Sequence, residues 1–311
     1  MSIPLHLYLP IAGNSVNLLV ILGLGGGVGL LSGIFGVGGG FLMTPLLIMF
    51  GIPPTVAAAS DSNQIVGAST SGTLAHFRLG NVDFKMGLIL LIGGIAGGTV
   101  GVQIIKVLRQ LGNADFLINL TYVLMLGIIG SYMFAESLQS MRKTQKKIPA
   151  PGPRKESMYG RIVKKLPWQM EFERSGVRVS VLMVLILGIL VGILAAIMGV
   201  GGGFIMVPVM VYMLRMPMHV VVGTSLFQIL FTCINVTIMQ AWRNHTVDFI
   251  LALLLLIGSS VGAQVGAKLG KKLRGDQLKI LLASLVLVVM VKMLYELLAR
   301  PEILLAYVGG H

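Results

Sequence analysis

Residues 36–45 read Gly36-Val37-Gly38-Gly39-Gly40-Phe41-Leu42-Met43-Thr44-Pro45, and residues 199–208 read Gly199-Val200-Gly201-Gly202-Gly203-Phe204-Ile205-Met206-Val207-Pro208. Four glycines in five residues each weaken a helix by about 1 kcal/mol relative to alanine, so a helix is expected to break at both places and restart after the break. In hydrocarbon the freed N–H and C=O groups need partners, and a break is tolerated only inside protein or beside a water-filled cavity. A restarting helix presents unpaired N–H groups and a partial positive charge, which suits an anion. Close packing of helices through small residues is the competing use of such glycines. Two copies favour a shared binding site, with Gly38, Gly39, Gly40, Gly201, Gly202 and Gly203 as backbone donors.

The surroundings of these glycines fix the medium. The chain has 311 residues, 55% of them hydrophobic and 11% charged, against about 25% charged in soluble domains. The apolar residues fall in unbroken runs rather than in alternation, which excludes a β-barrel and makes an all-α polytopic membrane protein the expected class. One cysteine, Cys233, excludes a disulfide framework. The net charge of +13 does not imply a nucleic-acid partner. Eleven of the 24 Lys and Arg lie between Arg142 and Arg178, in the one long polar stretch, as expected of a cytoplasmic loop. The N-terminus carries no basic region and short apolar core of the signal-peptide kind.

Five apolar segments precede that stretch, near 16–36, 39–51, 55–77, 84–105 and 114–135. Five follow it, near 179–199, 202–214, 219–242, 247–267 and 278–299. The second of each set is short enough for a re-entrant arm, so a hydropathy count is expected to find eight or nine spans rather than ten. The halves match. The glycine hexapeptides are 163 residues apart. Pro53 and Gln64 meet Pro217 and Gln228 at 164. Arg78, Val82-Asp83, Gly93, Gly97 and Gly101 meet Arg243, Val247-Asp248, Gly258, Gly262 and Gly266 at 165, and Lys106 then meets Lys271. This is a duplication. The expected organisation is a first membrane repeat over 1–138, a basic cytoplasmic linker over 139–178 and a second repeat over 179–311.

Charge decides between parallel and inverted repeats. If the first two segments of each half form a hairpin, each half crosses an odd number of times and the halves are inverted. The side of the linker then holds 19 Lys and Arg, and the other side holds four: Lys106, Arg109, Arg243 and Arg300. If they form one crossing, the cations from Lys268 to Lys279 fall outside, against the positive-inside rule. Inverted repeats of about five segments, with both termini outside, are the expectation.

The third segment of each half is polar for a membrane helix. The first copy holds Ser60, Asp61, Ser62, Asn63 and Gln64. In the second, Thr224, Gln228, Thr232 and Asn235 form one stripe at helical spacing. Hydroxyls and amides replace part of an oxyanion's water shell without adding charge. They also make interhelical hydrogen bonds. Ser62, Gln64, Thr224, Ser225 and Gln228 are the candidate cradle. Asp61 reads as a proton-coupling group or as a helix-end acid in water, and its counterpart Ser225 is neutral. Arg78 and Arg243 read as entrance cations, as interfacial residues that snorkel, or as loop salt-bridge partners of Asp83 and Asp248, five residues on. His76 and His245 lack the partners of a metal site. The Gly-x-x-x-x-Gly-Lys-Ser/Thr and Gly-x-Gly-x-x-Gly patterns are absent, so no nucleotide cofactor is expected. No triad or carboxylate pair points to an enzyme.

The doubled hexapeptide with its following proline, the run Thr224-Ser225-Leu226, and Arg-x4-Val-Asp entering a Gly-rich helix together resemble the sulfite exporter TauE/SafE family of membrane permeases. The resemblance covers nearly all the chain except about 139–175. It implies a carrier in the lipid bilayer of the plasma membrane, often an exporter, for small sulfur-containing anions such as sulfite or organosulfonates. Where the family usually repeats Thr-Ser-Leu, this chain has Ser60-Asp61-Ser62. An anion channel and a membrane anchor that binds a soluble protein through the linker are the alternatives. Oligomeric state is not readable from the sequence.

Overall fold

The computed structural model describes residues 6–35, 40–143, 167–214, 216–270 and 275–299. Among these residues, ten helical elements follow one another in two sets of five. The first set is α1 (Leu18–Phe35), α2 (Gly40–Met49), α3 (Pro54–Arg78), α4 (Phe84–Gln110) and α5 (Ala114–Lys143). The second is α6 (Val181–Met198), α7 (Gly203–Pro208), α8 (Met218–Met239), α9 (Phe249–Gly270) and α10 (Gly275–Ala299). Single π-helical turns, Val209–Met213 and Gln240–Asn244, extend α7 and α8. All ten apolar segments of the sequence are therefore helical.

Five stretches among the described residues are long and apolar enough to cross a membrane: Phe84–Gln110, Ala114–Tyr132, Val181–Met198, His219–Asn244 and Phe249–Gly266. That is fewer than the eight or nine expected. The short arms are already discounted in that figure. Among the described residues α1 contributes only the shorter apolar stretch Leu18–Leu31, and α3, with 25 residues, carries too many hydroxyl, amide and carboxyl groups to count as apolar.

A feature absent from the expectation precedes each set. The antiparallel hairpin β1 (His6–Leu9) with β2 (Asn14–Asn17) leads into α1, and β3 (Gln169–Phe172) with β4 (Val177–Ser180) leads into α6. Every bound of the second hairpin, and of α6, is 163 residues beyond its counterpart. Leu9 and Phe172 hold matching, fully buried positions, and the turn glycines Gly13 and Gly176 both have positive φ. The duplication thus extends through the hairpins. The second one straddles the expected linker boundary at 178, while residues 144–166 of that linker lie outside the described residues.

The two sets interlock by exchange. α1 packs along α9 and α4 along α6, while α3 packs on α8 and α5 on α10. The repeated glycines line two of these seams. A methyl group at Gly93 would lie 2.5 Å from the Leu185 carbonyl oxygen, and one at Gly97 would strike the Ile189 carbonyl. One at Gly258 would lie 2.6 Å from the Leu22 carbonyl, and one at Gly262 would strike that of Gly26. Backbone meets backbone along both seams, which is the close approach that small residues permit in membranes.

The repeated Val-Asp pairs hold the same frame. Asp83 Oδ1 accepts from Met86 N at the start of α4, and Asp248 Oδ1 from Leu251 N at the start of α9, each at 3.1 Å. The second oxygens reach the opposite hairpin. Asp83 Oδ2 accepts from Ser175 N, and Asp248 Oδ2 from Ile11 N. The backbone N–H of Asp83 donates to Thr224 Oγ1 at 3.0 Å, and that of Asp248 to Ser60 Oγ at 3.2 Å. The end of α3 therefore lies beside the start of α8, and the end of α8 beside the start of α3.

Candidate functional site

The second glycine motif approaches the described end of the first, Gly40 and Phe41. α6 ends at Met198, and the chain turns through Gly199, Gly201 and Gly202, all at positive φ, before α7 starts at Gly203. In the first half, residues 36–39 lie outside the described residues, including Gly38 and Gly39. Gly40 opens α2. The phenylalanines that close the two motifs stack face to face, Phe41 on Phe204, with centroids 4.3 Å apart and planes 9° from parallel.

Gly40 rests on α3, and the second motif rests on α3 and α8. A methyl at Gly201 would meet Cys233 Sγ at 2.7 Å and Ile229 Cγ2 at 2.8 Å, and one at Gly40 would strike Ile65. A methyl at Gly199 would strike the backbone of Ala58. In this conformation Gly40, Gly199, Gly201 and Gly202 meet protein, as close packing requires. Ile65, Ile229 and Cys233 form a small buried cluster of their own.

Asp61 lies at the edge of this cluster and is fully buried. Burial removes the reading of Asp61 as a helix-end acid in water. Thr44 Oγ1 of α2 donates to Asp61 Oδ2 at 2.8 Å, and Asp61 Oδ1 has no hydrogen-bond partner among the described residues. No ion pair to Asp61 occurs among the described residues. The Tyr122 hydroxyl donates to the Met198 carbonyl, which ties α5 to the last residue before the second glycine turn.

The polar stripes face elsewhere. Gln64 Nε2 donates to Ser259 Oγ of α9 at 2.6 Å. Gln228 Nε2 donates within α8 to Thr232 Oγ1 at 2.9 Å, and a methyl at Gly94 of α4 would meet both of these groups. Asn235 reaches Thr99 Oγ1 of α4 at 3.3 Å. Thr224 binds the Asp83 N–H, whereas Ser62 and Ser225 bond to carbonyls of their own helices. The stripe on α8 thus runs along its seam with α4, and the Ser60–Gln64 edge of α3 runs along α9. Gln64 Oε1 and Gln228 Oε1, both buried, have no partner. Among the expected site residues, Asp61 and Gly40 come together on one side of the turns, and Gly201 lies across Ile65 from them. The glutamines lie one helix face away. Arg78 ends α3 and Arg243 lies in the last turn of α8, both exposed.

Sequence reasoning missed Asp83, Asp248 and Tyr122 as fixing points. The repeated Val-Asp pair was the visible signal for the first two. Nothing in the local sequence marks Tyr122.

The sequence profile of the sulfite exporter TauE/SafE family matches residues 21–293. The chain belongs to this family. It is a multi-pass membrane transporter of the TauE/SafE kind. It is 26% identical over 260 residues to the probable membrane transporter protein YunE of Bacillus subtilis, covering 79% of this chain and 85% of that one. It is 26% identical over 267 residues to the probable membrane transporter protein YjnA of the same organism, covering 84% and 93%. Sulfite exporter TauE/SafE family protein 5 of Arabidopsis thaliana is 37% identical over 94 residues, which is 29% of this chain and 20% of that protein. No solved structure matches the chain.

Proposed function

We propose that this transporter moves small sulfur-containing anions such as sulfite or organosulfonates across the plasma membrane, outward, by alternating access between inverted halves. The exchanged hydrogen bonds support inversion. Asp83 bonds to Thr224 near the start of α8, and Asp248 bonds to Ser60 near the start of α3, as two antiparallel third helices require. The observation that carries the reading is the pairing of Phe41 with Phe204, with Gly40 against α3 and Gly201 between α3 and α8. Broken helices that meet at the interface of two repeats are a recurring transporter plan.

In this scheme backbone N–H groups of Gly38 to Gly40 and Gly201 to Gly203 face the anion once the halves rock apart. Ser62, Gln64, Thr224, Ser225 and Gln228 supply side-chain donors, and Asp61 is the coupling group. Each glutamine amide makes one N–H bond and can offer a second. Flux in liposomes tests the whole reading. Saturable movement of sulfite or sulfoacetate, with chloride excluded, is expected. Non-saturating chloride flux would replace the carrier with a channel.

The glutamines give a sharper test. A hydrogen bond to a charged group contributes about 1.5–3 kcal/mol, so Gln228→Ala should weaken apparent affinity by roughly 10- to 100-fold. Gln64→Ala also deletes the bond to α9 and so lowers stability as well. The Glu variants should be worse than Ala, because a carboxylate then faces an anion in a poorly screened site. Glu variants that outperform Ala at both positions would refute an anionic cargo.

A further inference from the structure

The ends of α4 and α8 enclose a pocket of about 260 Å³ lined by Lys106, Arg109, Gln110, Arg243 and Asn244. Three of its five lining residues are cations and none is an acid. Arg109 Nη1 donates to the Asn244 carbonyl at 2.5 Å, which fixes one guanidinium across the gap between the helices. Arg243 lies over the Trp242 ring, 5.9 Å from its centroid, and Trp242 itself is 72% exposed. An exposed tryptophan at a helix end marks the level of the lipid headgroups. The π-turn Gln240–Asn244 sets the positions of Arg243 and Asn244, and π-turns often occur at functional sites. The Asn244 side chain is buried, with its amide nitrogen 2.6 Å from Gln240 Oε1. The rim of the pocket is thus braced from below.

Two further observations separate this cluster from ordinary interfacial cations. Lys106, Arg109 and Arg243 are three of the four cations that the inverted topology puts on the outer face, where Lys and Arg are otherwise scarce. The sequence also repeats the set. At the 165-residue offset, Arg243, Lys106 and Arg109 correspond to Arg78, Lys271 and Arg274. Snorkelling requires a cation somewhere at a helix end, not the same three at matched positions in both halves.

We infer that the Lys106–Arg109–Arg243 pocket binds an oxyanion group, either a free tetrahedral or pyramidal oxyanion or the phosphate of an anionic lipid headgroup. Converging guanidinium and ammonium donors with no competing acid are the chemistry of that recognition. The volume admits a small oxyanion with part of its water shell. The argument from sidedness rests on the inverted topology proposed above, but binding itself does not depend on which anion is transported.

The test uses the full chain in neutral detergent and in nanodiscs. In detergent, phosphate should raise the thermal midpoint more than chloride at equal ionic strength. The triple variant Lys106→Gln, Arg109→Gln, Arg243→Gln should lose that difference. Arg243→Gln alone should weaken the phosphate response roughly threefold to tenfold, the range between an exposed ion pair and a charge-assisted hydrogen bond. The pair Lys106→Gln, Arg243→Gln leaves the Arg109–Asn244 bond intact and guards against loss of folding. In nanodiscs, stabilisation by phosphatidylglycerol over phosphatidylcholine alone assigns the site to a lipid headgroup. Stabilisation by dissolved phosphate in phosphatidylcholine assigns it to a solution anion. Wild type that responds to neither, or variants that respond as wild type does, overturn the inference even if the protein transports sulfur anions normally. Failure of transport with the phosphate response intact would leave the pocket standing and remove only the cargo.

Discussion

Gly199→Ala is expected to eliminate most of the folded, transport-competent protein, while Gly13→Ala is tolerated. Both glycines have positive φ, +72° and +66°, and a side chain in that region costs about 1–3 kcal/mol. They differ in the space around them. A methyl at Gly13 meets nothing within 4 Å, whereas one at Gly199 strikes the backbone of Ala58 in α3. Backbone cannot rotate out of the way as a side chain can, so α3 or the turn must move. Overpacking of this kind adds about 1–3 kcal/mol, and the sum approaches the whole stability margin of an ordinary domain. The turn has little room to give, because Tyr122 binds the carbonyl of the preceding Met198. Thermal midpoint and monodispersity in detergent, followed by flux in liposomes, read the outcome. A Gly199→Ala protein that melts and transports as Gly13→Ala does would show that α3 and the turn are not rigidly joined.

The ten helices were legible because a membrane leaves the sequence no other way to satisfy its backbone, and long apolar runs announce themselves. The duplication was legible because its markers, glycine, proline, arginine and aspartate, are scarce types or carry backbone consequences. The hairpins were not. Residues 6–17 and 169–180 are short and mixed in polarity, and their place in the repeat becomes visible only when Asp83 and Asp248 are seen to reach across to them. A hydropathy count was equally blind to α3, whose polar residues hide a helix of 25 residues.

The site was less legible than the fold. Helical spacing puts Thr224, Gln228, Thr232 and Asn235 on one face, and they do share one. Spacing does not say what that face meets. It meets α4 where Gly87, Gly94 and Gly98 leave room, a fact that depends on two helices far apart in sequence. Asp61 was harder still. Its repeat partner is a serine, so duplication argued against it, and only its depth in the structure gives it weight. The basic pocket was half visible: Arg243 stood out, but Lys106 and Arg109 gain meaning from their meeting with it.

Asp61→Asn is expected to uncouple anion movement from proton movement. A carboxylate sealed among uncharged groups is costly by several kcal/mol, and among the described residues Asp61 has the Thr44 hydroxyl on one oxygen and no partner on the other. Ionised, it would also repel an anion that enters between the glycine turns. A proton bound by Asp61 as the anion arrives removes both costs, and its release on the other side makes the cycle sensitive to a pH gradient. Asparagine keeps the shape of aspartate and an acceptor for Thr44 but fixes the neutral form. In liposomes that hold a pH-sensitive dye, the wild type should move protons together with sulfoacetate, which does not titrate near neutral pH. In Asp61→Asn the dye signal should fall to background, and an imposed pH gradient should no longer drive accumulation. Thr44→Val separates this role from packing, since it removes the hydroxyl hydrogen bond to the carboxyl and should shift the pH dependence of flux without abolishing it. An Asp61→Asn transporter that still moves protons with its anion would place coupling elsewhere and return Asp61 to a structural part in the contact of α3 with α2.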